Sequence, residues 1–194
     1  MKHTTIKTRY KQAGISLIEL VMFIVIVSVG VVGILSVMDI TTKASADPML
    51  RKQALSIAES LLEEIQLQPF TFCDPDDANA ATATSTAGCA TTAEGTPLGP
   101  EAGETRYAAP LFDNVNDYHN FSLPVPPGIR DITGTNVGGL AGYSATVTVT
   151  ETALGTVPAA ASLFITVTVT PPSGAADNVM LSGYRTRYAP RAVP

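Results

Sequence analysis

The chain has 194 residues, of which 45% are hydrophobic and 15% are charged, and its formal net charge is −5. This acidity argues against general nucleic-acid binding, because the phosphate backbone attracts proteins with basic surfaces. The chain has two histidines and no tryptophan, and it shows no Gly-rich phosphate loop or histidine–carboxylate cluster. Since no catalytic constellation emerges, we expect no enzyme activity, no cofactor and no metal site.

The N-terminal segment combines a basic leader with a long apolar run. Residues 1–14 carry four basic side chains and no acidic one, and no charged residue occurs over the nineteen positions from Leu20 to Met38. About twenty apolar residues cross the hydrocarbon core of a bilayer, and flanking basic residues stay on the cytoplasmic side. Residues 15–38 are therefore predicted to be a single inner-membrane helix, with the C-terminal domain in the periplasm. An uncleaved signal anchor on a periplasmic protein is the alternative.

The seven residues from Gly14 to Leu20, GISLIEL, resemble the prepilin signature of type IV pilins and of type II secretion pseudopilins. The family pattern has glycine before the cleavage point, usually Phe after it, and then Thr or Ser, Leu, Ile and Glu. Ile15 stands where Phe is usual, as in many minor pilins. Two later segments, SADPMLRKQALSIAESLLEEI and FCDPDDANAA, are similar to minor pilins of the mannose-sensitive haemagglutinin (MSHA) type.

The resemblance implies a processing pathway and a fold. A prepilin peptidase would remove residues 1–14 as a leader peptide, cutting between Gly14 and Ile15, and would methylate the new amine of Ile15. The mature chain would keep eight basic residues against seventeen acidic ones, a net charge of −9. The implied fold is α+β, a type IV pilin-like fold in which a long N-terminal hydrophobic α-helix packs on a small antiparallel β-sheet.

The implied function is that of a minor pilin in an MSHA-like type IV pilus, as a structural subunit or an assembly initiator. Its partners would be other pilin or pseudopilin subunits, the prepilin peptidase, inner-membrane lipid and the pilus assembly platform, with no nucleic acid. One alternative is a minor pseudopilin of a type II secretion system. Another is a membrane-tethered periplasmic module that binds a surface glycan or an ion.

Glu19 is the one carboxylate near the start of the apolar segment. An ionisable group inside a membrane segment is costly, which makes it a functional hypothesis by default. The family resemblance implies that Glu19 pairs with the N-terminal amine of a neighbouring subunit and fixes axial register during assembly. The alternative is self-neutralisation, because the amine of Ile15 and the carboxylate of Glu19 are four residues apart and can face each other on one helical turn.

Residues 39–69 are predicted to continue the helix with an amphipathic pattern. Apolar residues recur at steps of three and four, which is typical of a helix with one buried face. They are Leu50, Ala54, Ile57, Ala58, Leu61, Leu62 and Ile65. Asp47 and Pro48 fit the start of a new helix, or Pro48 kinks one continuous helix. Pro69 is expected to end the segment.

Residues 70–103 are rich in Ala, Thr, Gly, Ser and Pro and are predicted to form a variable loop with little capacity for a core. Cys73 and Cys89, the only two cysteines, lie in this loop. In an oxidising compartment a disulfide is the natural outcome. A metal site would need more ligands, and a thioredoxin-like pair would need C-x-x-C spacing. Asp74, Asp76 and Asp77 are expected to belong to an acidic, solvated loop.

Residues 104–194 are predicted to supply the antiparallel sheet of the globular head. The segments 143–150 and 163–170 alternate β-branched residues with period two, and 178–188 is a plausible third strand. The segment 112–118, FDNVNDY, places oxygen-bearing side chains at alternate positions, which keeps calcium binding open as an alternative. An EF-hand is excluded, since Tyr118 stands where glycine is needed, and Asp and Asn are also ordinary turn residues.

Overall fold

The computed structural model of the protein describes Gly14 and residues 16–188, with the backbone alone over residues 40–47. Residues 1–13, Ile15 and residues 189–194 lie outside the described part of the chain. The predictions for the leader peptide and for the cleavage and methylation of Ile15 therefore fall largely outside it. The chain divides into two compact units between Ala46 and Asp47, and each unit is considered by itself.

The first unit consists of the apolar part of helix α1, which runs over Leu17–Leu67. Its stretch Leu17–Asp39 has a mean hydropathy of 2.9 and buries none of its side chains within the protein. A backbone in lipid must satisfy its own hydrogen bonds, and a helix does so despite the many β-branched residues here. The amide of Leu20 donates to the carbonyl of Ser16 at 3.1 Å, and the hydroxyl of Ser28 donates to the carbonyl of Ile24 at 2.7 Å.

The second unit begins with the amphipathic part of α1. Of the two alternatives at Pro48, the continuous helix is the one observed, because this proline lies inside α1. Every residue of the predicted stripe is buried or partly buried, and Ala54, Ala58 and Ile65 are fully so. Helix α1 ends at Leu67, and the amide of the next residue, Gln68, donates a hydrogen bond to the carbonyl of Ile65 at 3.2 Å. Pro69, which follows, cannot extend the helical hydrogen bonding.

Four antiparallel strands form one sheet in the order β1-β2-β3-β4. Strand β1 is Ser122–Leu123, β2 is Ser144–Glu151, β3 is Ser162–Thr170 and β4 is Val179–Thr186. The three strands predicted from period-two alternation are therefore confirmed to within a residue or two. Strand β1 was not predicted, because its two residues are too few to show a pattern. The predicted α+β class is confirmed, because the structure contains an N-terminal apolar helix and a small antiparallel sheet.

The two faces of the sheet have different chemistry. On one face, Val147 pairs with Val167 and Val149 with Ile165, and these four join the buried residues of α1 in one core. Each fully buried Val or Ile contributes roughly 1.5–3 kcal/mol. The other face carries threonines, such as the pair Thr148 and Thr166. Strand alternation thus directs the valines to the helix and the threonines outward.

The segment between α1 and β1 is more ordered and more buried than its composition predicts. Phe70 and Tyr118 belong to the main core, while Cys73, Ala80 and Ala83 form a second small cluster. The expectation that residues 70–103 could contribute little to a core is therefore wrong. Small residues such as alanine can be fully enclosed by backbone, and composition alone does not reveal this.

Candidate functional site

The N-terminal end of α1 brings together the described residues of the predicted processing and assembly motif. Gly14 and Ser16 are exposed, and Glu19 is the acidic residue of the first helical turn. A carboxylate at this position interacts favourably with the helix dipole. The side chains that follow are exposed on all sides, with Phe23 at 62% and Val29 at 70%. The segment therefore presents an apolar surface that lipid or other helices can cover.

The disulfide between Cys73 and Cys89 is present in the structure. The two sulfur atoms are 2.03 Å apart and the two Cα atoms 5.5 Å. The bridge joins two residues that are 16 positions apart, and Cys73 is completely buried. The bridge therefore fixes the first part of the 70–103 segment against the small cluster formed by Ala80 and Ala83.

Asp77 is enclosed by this loop, although the sequence predicted a solvated acidic segment. Its side chain accepts hydrogen bonds from the amides of Asn79, Ala90, Thr91 and Thr92 and from the Thr91 hydroxyl. These hydrogen bonds lower the pKa of Asp77, and the one from the Ala90 amide has the largest effect on that pKa. Asp77 is 7% exposed, so the prediction of a solvated side chain is wrong here. Its charge is compensated by backbone dipoles.

A second group of acids, buried or partly buried, lies close together, and its members face one another. We call it the acidic cluster, and it comprises Asp74, Glu94, Glu101, Glu104, Asp113 and Asp117. Its first triad is Glu94, Glu101 and Asp117, each of which offers a carboxylate oxygen within 4.8 Å of the others. Its second triad is Asp74, Glu104 and Asp113, which meets the same limit. Asp74 is 8% exposed, so the prediction of a solvated side chain is wrong here as well, whereas Asp76 is exposed.

Local structure explains how residues near Asp117 are held. A short 3₁₀ helix, Val115–Tyr118, is capped by Asn114. The backbone amide of Asn114 donates a hydrogen bond to the Asp117 side chain at 2.7 Å. The amide of Asp113 also donates to the same Asp117 oxygen, at 3.0 Å. The turn chemistry expected for segment 112–118 is thus observed. It places Asp117, which is fully buried, at a fixed position in the first triad.

Burial and mutual repulsion weaken the acidity of the cluster. Burial, followed by the charges of Asp117 and Glu101, raises the pKa of Glu94 to about 9. Burial likewise raises the pKa of Asp113 and of Asp117 to about 7, with neighbouring carboxylates adding to the effect. The pKa of Glu104 is also raised, by burial and by contact with Glu101. In this arrangement the ionised carboxylates destabilise one another.

One buried ion pair anchors the loop to helix α1. The guanidinium of Arg106 binds Glu64 through two contacts of 2.6 Å, Nε to Oε1 and Nη2 to Oε2. The hydroxyl of Tyr118 donates to the same Glu64 at 2.8 Å. Burial disfavours the charged guanidinium, but the hydrogen bond and charge of Glu64 outweigh it and raise the pKa of Arg106. This pair holds segment 104–118 in register with the helix.

The sequence singled out some of these residues but not their arrangement. Segment 112–118 was noted for its oxygen-bearing side chains, whereas Glu94 and Glu101 lie in an Ala-, Thr- and Gly-rich stretch that gave no signal. The acids of the cluster are separated by up to 43 positions, between Asp74 and Asp117. No local spacing rule could therefore have joined them.

Comparison with known proteins returns no matching family model and no significant match among curated proteins or solved structures. The functional assignment therefore depends on the residues of this chain and on their geometry.

Proposed function

We propose that this protein is a minor pilin of a type IV pilus, processed by a prepilin peptidase and assembled from the inner membrane. The observation that carries this function is the helix Leu17–Asp39, which is long and apolar enough to cross a bilayer and has no buried residue in its apolar window. A soluble protein would cover such a helix, because exposed apolar surface of this extent marks a membrane or protein contact.

Glu19 supports assembly rather than simple anchoring. An anchor requires only apolar residues, whereas a carboxylate in the first turn of the membrane segment costs free energy unless it finds a partner. Cleavage after Gly14 would create a positive amine on Ile15 in each subunit. An amine of one subunit and the Glu19 carboxylate of another would then compensate each other only when the two helices are in correct register.

The second unit fits the role of a head domain on such a filament. Its sheet packs on the continuation of the same helix, and the disulfide between Cys73 and Cys89 suits an oxidising compartment outside the cytoplasm. The mature net charge of −9 favours solubility of this domain. These properties agree with a domain exported to the periplasm and carried on a filament.

The test uses the full chain in a bacterium with an active pilus system. Mass spectrometry of the membrane-extracted protein should show a chain that begins with a methylated Ile15. Sheared and purified filaments should contain the wild-type chain at low stoichiometry. The variant Glu19→Gln should be processed normally and be depleted from filaments, because it cannot pair with the amine.

The matched control is Glu59→Gln, which makes the same chemical change at an exposed position of the same helix. It should enter filaments as the wild type does. An intact, unmodified Met1 in cells with active peptidase would refute the proposed processing. A processed chain that is absent from pili would favour the secretion pseudopilin or the tethered binding module.

A further inference from the structure

The first triad contains buried oxygens that no donor in the described part of the chain satisfies. Glu94 is 1% exposed and Asp117 is completely buried. Nevertheless Glu94 Oε1, Asp117 Oδ1 and Glu101 Oε2 are buried without a hydrogen-bond partner. Buried polar atoms are almost always paired, and an exception calls for an unseen water or ion. Each member of the triad thus has one oxygen available to a ligand that is not part of the chain.

Asn116 has the same feature and adds a neutral oxygen. Its side-chain nitrogen donates to Glu94 Oε2, which fixes the orientation of the amide. The opposite atom, Asn116 Oδ1, is buried and unpaired, and the residue is 3% exposed. An amide oxygen is a common ligand for hard cations alongside carboxylates.

Among residues 16–188, the charges that act most strongly on the triad are of the same sign as its own. The main charges acting on Glu94 and Asp117 are other carboxylates, including Glu101, Asp74 and Asp113. Arg187 interacts electrostatically with Glu94, but the hydrogen bond of its Nη1 goes to the carbonyl of Ala160 at 2.6 Å, and its Nε is buried without a partner among the described residues. Its guanidinium also lies over the Phe70 ring, 3.9 Å from the centroid.

Asp77 provides a comparison within the same loop. It is also buried, but five donors surround its two oxygens. The fold can therefore supply amide donors to a carboxylate that carries only a structural role. In the first triad Asp117 also accepts two backbone amides, but through Oδ2 alone. The other Asp117 oxygen and one oxygen each of Glu94 and Glu101 have no donor among the described residues. With acids facing acids, this arrangement is stable only when protons or a cation share the space.

We propose that Glu94, Glu101 and Asp117 bind a calcium ion, with the second triad as its acidic surroundings. Ligand oxygens on opposite sides of Ca²⁺ are about 4.6–5.2 Å apart, because each bond is about 2.3–2.6 Å long. The triad oxygens, all within 4.8 Å of one another, fit inside this sphere. The ligand set contains only oxygens, which suits a hard cation and not zinc or copper.

Calcium here would link distant parts of the loop. Glu94 and Glu101 belong to the segment after the disulfide, whereas Asp117 belongs to the 3₁₀ helix Val115–Tyr118. The ion would therefore hold segment 90–104 against the helix-packed part of the head. Because its ligands come from separate segments, this site differs from the calcium loop considered in the sequence at 112–118. It also departs from the sequence prediction of no metal site.

The first experiment titrates CaCl₂ into the full chain, purified in detergent micelles and stripped with EDTA, by isothermal titration calorimetry. We expect saturable binding with a Kd at or below about 10⁻³ M, the weak end for extracellular calcium modules. The thermal midpoint of the head should rise with CaCl₂ concentration, and MgCl₂ should have a smaller effect. Absence of saturable heat and of any thermal shift in the wild type would overturn the calcium site and leave shared protons as the explanation.

The variant Glu101→Gln tests the assigned residues, because Glu101 is half-exposed and its side chain retains its size. Removing one ligand charge should weaken calcium binding at least about tenfold. In EDTA the variant should be as stable as the wild type or more so, since one repelling charge is gone. A purely structural role for Glu101 would lower stability in EDTA and leave the calcium affinity unchanged, and that result would refute the assignment.

Two further measurements distinguish loss of the calcium site from misfolding of the Glu101→Gln variant. Glu59→Gln, exposed on α1, should leave the calcium affinity unchanged. For the wild type alone, Tb³⁺ luminescence excited through tyrosine should appear on binding and be displaced by CaCl₂. Terbium emission that CaCl₂ cannot displace would count against the site. Because these readouts need no filament, they succeed or fail separately from the proposed pilin function.

Discussion

Replacing Glu64 with glutamine should lower the stability of the head more than any other single change of charge on α1. Glu64→Gln preserves the size of the side chain but removes the anion that holds Arg106. The Arg106 side chain is 6% exposed, so water cannot readily replace the lost partner. The remaining contacts of Nη1, to the carbonyls of Arg130 at 3.2 Å and Asp131 at 3.1 Å, do not compensate a full charge.

The magnitude follows from the two charge-assisted contacts of 2.6 Å that are lost. Breaking a buried ion pair by removing one partner costs about 3–5 kcal/mol. The Glu64 side chain is 19% exposed, so solvent screens part of the effect. We therefore expect the free energy of unfolding to fall by about 3 kcal/mol, at the lower end of this range.

The assay is urea denaturation of the full chain in detergent, followed by near-ultraviolet circular dichroism of tyrosine. All described tyrosines lie in the second unit, so the signal reports the head rather than the apolar helix. Glu63→Gln, exposed and adjacent on the same helix, should change stability by less than about 0.5 kcal/mol. Equal effects of the two substitutions would show that the ion pair does not anchor the loop.

Three other substitutions test the fold by the same denaturation assay. Replacing Cys73 and Cys89 together by serine should lower stability by about 3 kcal/mol, as expected for a loop of this length, and an unchanged midpoint would argue against the bridge. Ile165→Ala, in the centre of the core, should cost about 2–5 kcal/mol, whereas Thr148→Ala on the outer face should cost less than about 0.5 kcal/mol. Gly128→Ala should destabilise the head strongly, because φ is +91° and a Cβ would lie 2.6 Å from a backbone oxygen; wild-type stability would refute this steric argument.

The elements that sequence patterns predicted well are those with a long, regular period. The stripe from Leu50 to Ile65 repeats over four turns, and the alternation in β2 and β3 continues for eight and nine residues. Such patterns arise because one face of each element is buried against the other. The same logic fails for β1, whose two residues, Ser122 and Leu123, are too few to show any period.

The acidic cluster could not be predicted because its members are brought together only by the tertiary fold. Glu94 and Glu101 resemble solvent-exposed loop acids in sequence, and burial of an ionisable side chain is rare without a partner. The pair of Arg106 and Glu64 is separated by 42 positions and is equally invisible to local rules. Fold class was thus accessible from periodicity, whereas the electrostatics of the head were not.

The position of β3 has a consequence for how the chain folds during synthesis. All nine residues of β3, SLFITVTVT, are uncharged and most favour strands, a composition that promotes intermolecular cross-β stacking when the segment is unpaired. In the folded head both of its edges are occupied, by β2 and by β4. A chain that ends before Val179 leaves one edge of β3 open, so aggregation should be greatest for products truncated between β3 and β4.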